Sequence, residues 1–221
     1  MKRKTRQILI MMLSALLTVS LLAGCSSKPK ADDAKAYVQA VLDIMCTGDY
    51  DHSVKLADIE EGKETEMRDE MIDTVVSQLT ASANLDEEVT QGFTDLMIDA
   101  LAKAKYSVVD AQATDDGGFD VTVSIEPLKI FAGLGDDYEA KLTEKAEADA
   151  DKIMAMSTDE RNNYAMKILL DMMKEGLSDP QYGEAEEVTV HYGQLEENAY
   201  GCSEADGQAL GSKLFSTEGM E

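Results

Sequence analysis

The sequence predicts an α+β fold, with an antiparallel β-sheet built from two hairpins and covered by about five amphipathic helices. Three observations carry that prediction. Phe119, Val121, Val123 and Ile125 alternate with Asp120, Thr122, Ser124 and Glu126, the period of two of a strand buried on one face. Val188, Val190 and Tyr192 repeat the pattern against Thr189 and His191. Elsewhere apolar residues recur at spacings of three and four, and strands come in pairs rather than alternating singly with helices, which argues against a parallel sheet.

Taken in order, Ser26 to Asp33 is polar and includes Lys28-Pro29-Lys30, so residues 25–33 read as a flexible tether. A first helix over 34–45 places Tyr37, Val38, Val41, Leu42 and Met45 on one stripe and stops at Gly48-Asp49-Tyr50. Residues 51–63 are irregular, with a short helical turn at 54–59. A second helix over 64–83 turns Met67, Met71, Ile72, Val75 and Leu79 inward. Asn84 with Glu87 forms a capping box opening a third helix, whose inward residues are Val89, Phe93, Leu96, Met97, Ala100 and Leu101. The hairpin of 105–131 follows. Its reversal is Asp115-Asp116-Gly117-Gly118, whose glycines accept positive φ, and Pro127 ends its second strand. Gly133 and Gly135 make a loop. Asp136 with Glu139 caps a fourth helix through Met156, with Leu142, Ala146, Ile153 and Met156 inside. Ser157 with Glu160 caps a fifth, carrying Tyr164, Ile168, Leu169, Met172 and Met173. The second hairpin pairs 188–192 with a weaker strand at 199–202. Ser203 with Asp206 caps a short last helix holding Leu210, Leu214 and Phe215. Residues 34–217 are thus expected to form one domain, divisible into helix-plus-hairpin halves at 34–131 and 132–217.

The chain opens Met1-Lys2-Arg3-Lys4-Thr5-Arg6, continues as an apolar run from Ile8 to Ala23, and reaches Leu22-Ala23-Gly24-Cys25. A basic start, a short apolar stretch and a small-residue exit make a secretory signal over 1–24. Leu-Ala-Gly-Cys resembles the bacterial lipobox, which implies cleavage between Gly24 and Cys25 and a diacylglyceryl group on the Cys25 thiol. Two acyl chains suffice for stable anchoring where one is marginal. The first 24 residues hold four of the 20 basic residues and none of the 44 acidic ones, so the rest has 16 basic against 44 acidic residues, a charge of −28. That excess opposes nucleic-acid binding, which requires Lys and Arg to neutralise phosphates, and any second hold on anionic lipid.

Beyond Cys25 two cysteines remain, Cys46 and Cys202. In an oxidising compartment they are the candidate disulfide pair, although Cys46 also suits a small buried hydrophobe. His52 and His191 are the only imidazoles, with no His-Glu-x-x-His or Cys-x-x-Cys spacing, so no metal site is expected. Asp115 to Asp120 lacks the Glu that would complete a calcium loop, and the turn explains it. There is no nucleophile elbow and no phosphate-binding glycine pattern. No catalytic residue and no cofactor are therefore expected.

Ala36-Tyr37-Val38, Val41-Leu42-Asp43, Gly48-Asp49-Tyr50, Lys105-Tyr106-Ser107-Val108 and Phe119 to Val123 with Glu126-Pro127-Leu128 resemble a family of uncharacterised Gram-positive lipoproteins carrying a domain of unknown function. Where such proteins tend to place Trp in the last strand, this chain has Tyr200. The resemblance implies a membrane-tethered domain on the extracytoplasmic side and brings no catalytic residues. By analogy of layout, a cystatin-like or nuclear-transport-factor-like sheet would offer a concavity for a peptide, small molecule or envelope protein. The alternatives are an envelope hydrolase and an accessory subunit of a transporter or secretion complex.

Overall fold

The computed structural model describes residues 29–54, 56, 62–81, 83–130, 134–196, 199–216 and 218, with backbone alone at 79, 134–137 and 196. The signal at 1–24, the Gly24–Cys25 junction, the lipidated Cys25, most of the turn at 54–59, Gly133 and the side chain of Leu79 lie outside the described residues. The described elements are α1 (Ala31–Thr47), α2 (Glu64–Ala81), α3 (Glu87–Leu101), β1 (Lys105–Ala113), β2 (Phe119–Glu126), α4 (Leu134–Ala148), α5 (Ala150–Ala155), α6 (Thr158–Ser178), β3 (Glu186–Glu196), β4 (Ala199–Cys202) and α7 (Glu204–Leu214). This is the α+β class that the alternation predicts.

The two hairpins merge into one antiparallel sheet in the order β1-β2-β3-β4. The long-range join is β2 to β3, with Val121 opposite Val190 and Asp120 opposite His191. Val121, Val123, Ile125 and Val190 are fully buried. The second face is polar: Ser107, Asp120, Glu187 and Thr189 are exposed. Helix α1 lies against β1 and β2, and α7 against β3. Helices α2 and α3 pack on α1, α6 packs on α3, and α4 packs on α6, so the helical layer grows away from the sheet. The segment after β2 ties the halves together. Leu128 N–H donates to Leu214 O at 2.9 Å and Ser216 N–H to Leu128 O at 2.9 Å, while Lys129 N–H donates to Gln181 O at 2.8 Å.

Several boundaries differ from expectation for local reasons. Helix α1 begins three residues inside the expected tether, because Asp33 accepts from the Lys30 N–H at 2.9 Å and the acids Asp32 and Asp33 suit a helix N-terminus. Asn84 does not open α3. It has φ +51° and ends α2, with Leu85 N–H directed to Thr80 O, the left-handed stop that Asn tolerates. Asp86 is the cap instead, accepting from Val89 N–H at 2.9 Å. Gly135 lies within α4 rather than in a loop. The expected fourth helix breaks at Asp149 (φ −109°, ψ 24°) into α4 and α5. Its stripe does not reach the core: Leu142, Ile153 and Met156 are half-buried and Ala146 is exposed. Ser157 and Ser203 form the capping boxes that the sequence predicts.

The buried stripe of α2 also differs. It runs Glu64, Arg68, Ile72, Val76 and Thr80, a four-residue ladder with charged members, while Met67 and Met71 pack only at its edge. The physical cause is the C-terminus of α1, which has no basic residue in its last turn. Arg68 supplies the cation there. Its guanidinium lies so close that a Cβ on Gly48 would sit 3.1 Å from Cζ, and cations near a helix C-terminus are stabilising. Thr65 Oγ1 donates to the Gly48 carbonyl at 2.7 Å.

Candidate functional site

The densest polar constellation on the open sheet face is centred on His191. The β2–β3 register sets His191 opposite Asp120, and the imidazole Nδ1 lies 3.0 Å from Asp120 Oδ1. The β1–β2 turn, held by Gly117 at φ +85°, brings Asp116 Oδ2 to 3.1 Å from Nε2. The strand β4 ends opposite Tyr192, so the His191 backbone N–H has no strand partner on that side; it donates to Asp206 Oδ1 at 3.2 Å. Asp206 is fixed by its own cap, accepting from Ser203 N–H at 3.1 Å through Oδ2.

Two glycines make room for the ring. A Cβ on Gly118 would sit 2.7 Å from the Tyr192 carbonyl oxygen and 2.9 Å from His191 Cε1, and one on Gly193 would sit 2.5 Å from Nε2. The electrostatics follow. A hydrogen bond to Asp120, opposed in part by desolvation and reinforced by the charges of Asp116, Asp120 and Asp206, raises the His191 pKa above its ordinary value. The Thr114 hydroxyl and the Gly118 N–H hold the Asp116 carboxyl below the usual range, with the His191 charge contributing less. Ionised carboxylates only accept hydrogen bonds, so a ring that faces one at each nitrogen is satisfied as imidazolium. The alternation with Val190 and Tyr192 puts His191 on the outward strand face; its contacts with Asp116 and Asp120 become visible only once the strand register is known.

His52 sits apart from this cluster. Its ring lies tilted against Tyr50, with centroids 4.7 Å apart, and approaches Asp49 and the buried Glu64 at 3.6 Å each. Among the described residues no group of three or more His, Cys, Asp or Glu side chains is placed to hold a metal ion.

Both Cys46 and Cys202 are buried and free. Cys46 lies on α1 by Tyr106 of β1, whose hydroxyl donates to Asp43 at 2.8 Å; Cys202 lies on β4, opposite Tyr192. β1 and β4 are the two edges of the sheet, and a disulfide needs Cα atoms within about 7 Å. In this structure the candidate pair is unbridged, and each thiol is packed within the core. Burial pushes both thiols up to about 12, with the Tyr106 hydroxyl opposing the shift at Cys46. Burial also raises the Tyr106 hydroxyl, as do the neighbouring Cys46 and Asp43.

The broken fourth helix creates a second feature. Leu142, Ala146, Ile153 and Ala165, together with the polar Thr143, Arg161, Asn162 and Tyr164, line an open groove of about 340 Å³ between α4, α5 and α6. Tyr164 donates to Asp149 at 2.8 Å, which fixes the corner where the helix turns back. Met154 beside it is 74% exposed. Groove and imidazole cluster are built from different elements, so no titratable group of the cluster lines the groove.

No protein-family model matches the chain, and no curated protein matches it. Among solved structures it is similar to ycdA of Bacillus subtilis, described as a putative lipoprotein, at a TM-score of 0.56 and 16% identity. The match covers 84% of this chain and 56% of that one, so this chain spans little more than half of its neighbour. At that identity the likeness is one of fold, and it lends no support to a cystatin-like or nuclear-transport-factor-like layout. No helix among the described residues is long and apolar enough to cross a membrane.

Proposed function

We propose that this chain is a lipoprotein, anchored through acylated Cys25 on the outer side of a Gram-positive cell membrane, whose folded domain binds a ligand and catalyses no reaction. The observation that carries the address is Leu22-Ala23-Gly24-Cys25 after a basic, apolar leader, supported by the fold it shares with ycdA. Binding rather than chemistry is supported by the imidazole: each ring nitrogen faces a carboxylate of the protein itself, so the protonated ring has no nitrogen turned to a substrate. The neighbouring Ser203 hydroxyl is engaged with Asp206. The groove of α4, α5 and α6 has the volume and apolar lining of a small-ligand site, suited to a small apolar molecule or an apolar peptide side chain.

Expression of the full chain in a Gram-positive host fed labelled palmitate tests the address. The wild type is expected in the membrane fraction carrying label, and Cys25→Ala unlabelled and no longer cleaved at Gly24. Absence of label from the wild type refutes the anchor. The groove is tested with the apolar dye anilinonaphthalene sulfonate. Ala146→Trp, at an exposed position, is expected to abolish saturable dye fluorescence shown by the wild type, with an unchanged circular dichroism spectrum. Equal fluorescence from both proteins would remove the groove from consideration.

A further inference from the structure

The geometry points to a proton-operated clasp: as imidazolium, His191 pins the tip of the β1–β2 hairpin to β3, and loss of its proton loosens that tip. Two carboxylates meet the ring, Asp116 from the turn and Asp120 from β2, and a third, Asp206 at the start of α7, accepts from the His191 backbone N–H and adds its charge nearby. Gly118 and Gly193, which also pack against the ring, carry no charge. The link to the turn runs through Nε2 and Asp116, and the link to β2 runs through Nδ1 and Asp120. A neutral imidazole has one N–H and keeps one link at most. The other nitrogen then sets a lone pair against a carboxylate, which is repulsive.

Apart from the ring, the turn meets β3 where Gly118 lies against the Tyr192 carbonyl and Phe119 pairs with Tyr192. Its internal bonds are Thr114 N–H to Gly118 O at 3.0 Å, Gly117 N–H to Thr114 O at 3.1 Å and Gly118 N–H to Asp116 Oδ1 at 3.1 Å, none of which reaches the neighbouring strand. Because the carboxylates raise the folded-state pKa of His191, the clasp is fully closed below the ordinary imidazole value of about 6.5. It opens as the pH rises through the higher folded-state value. The ring is partly exposed, so added salt weakens the clasp as it does any surface pair. An extracytoplasmic location would put the hairpin tip under the control of external pH; that consequence alone rests on the proposed address.

Amide exchange and proton NMR of the full-length chain test the clasp. In the wild type the His191 ring proton is expected to titrate above the value it shows in Asp116→Asn/Asp120→Asn. Protection of the Thr114 and Gly118 amides, corrected for intrinsic exchange, is expected to exceed that of His191→Gln by about threefold at low pH, the scale of a partly exposed ion pair. The two proteins are expected to converge once His191 deprotonates. A protection ratio that does not change with pH, or a His191 titration unmoved by the Asn substitutions, would overturn the proposal. Asp116→Asn alone keeps the ring, removes the charge that faces Nε2 and leaves an amide oxygen to accept from the Gly118 N–H, so its loss of the pH-dependent protection at Thr114, whose N–H bonds Gly118 O, separates the clasp from general destabilisation.

Discussion

Phe93→Ala is expected to lower the stability of the domain by about 3–5 kcal/mol, the cost of truncating a buried phenylalanine when the cavity cannot close. Phe93 is fully buried at the centre of α3, the helix that touches α1, α2 and α6. Relaxation into the void is restricted by contacts with α6 along the N-terminal half of α3. The neighbouring Gly92 is so close to α6 that a Cβ there would fall 2.3 Å from Leu170 Cδ2. At the N-terminal end of α3, the Asp86 N–H donates to Asn163 Oδ1 at 2.7 Å, and Glu88 pairs with Lys167. The helix cannot slide inward without breaking those links. Since a domain of this size has a total stability of about 5–15 kcal/mol, the variant should show a large drop in urea midpoint with an unchanged slope. A loss below about 1 kcal/mol would show that α3 lies at the periphery.

Phe215→Ala is expected to cost a similar amount, about 3–5 kcal/mol, and to act far from its own helix. Phe215 is 3% exposed and pairs with Leu128 as an isolated bridge, in the segment where Leu128 also reaches Leu214 and Ser216. Three parts of the chain meet there: the exit of β2, the strand-like residues after α6, and the end of α7. Removing the ring therefore opens a junction rather than a terminus. Thermal unfolding should fall, and protection of the Leu128 and Gly183 amides, the latter bonded to Pro127 O at 2.8 Å, should fall with it. Unaltered protection of those two amides would show that the tail contributes burial and no closure.

The residues that could be read from sequence are those whose signal is local. The alternation of β2 lies within eight residues, and the Asp-Gly turn and the capping boxes of Ser157 and Ser203 each lie within four; each appears where expected. The stripes of α1 and α3 were legible because no charge interrupts them. The stripe of α2 was not, since Glu64 and Arg68 occupy it, and only the neighbouring end of α1 explains a buried guanidinium. The break at Asp149 left no Pro or Gly mark, so α4 and α5 read as one helix with a core face that in fact lines a groove. The His191 cluster depends on contacts across 71 residues to Asp120 and 15 to Asp206. Neither spacing has a local signature, because which strand lies beside β2 is decided by packing of the whole chain.

The two buried thiols make the molecule its own stopwatch. An alkylating reagent attacks thiolate, and with both groups pushed to about 12 inside the core a closed molecule offers it almost nothing. Each labelled cysteine then records one excursion, at the α1 end or the β4 end of the sheet, so comparing the two rates tells which side lets go first. No added reporter is needed for that experiment.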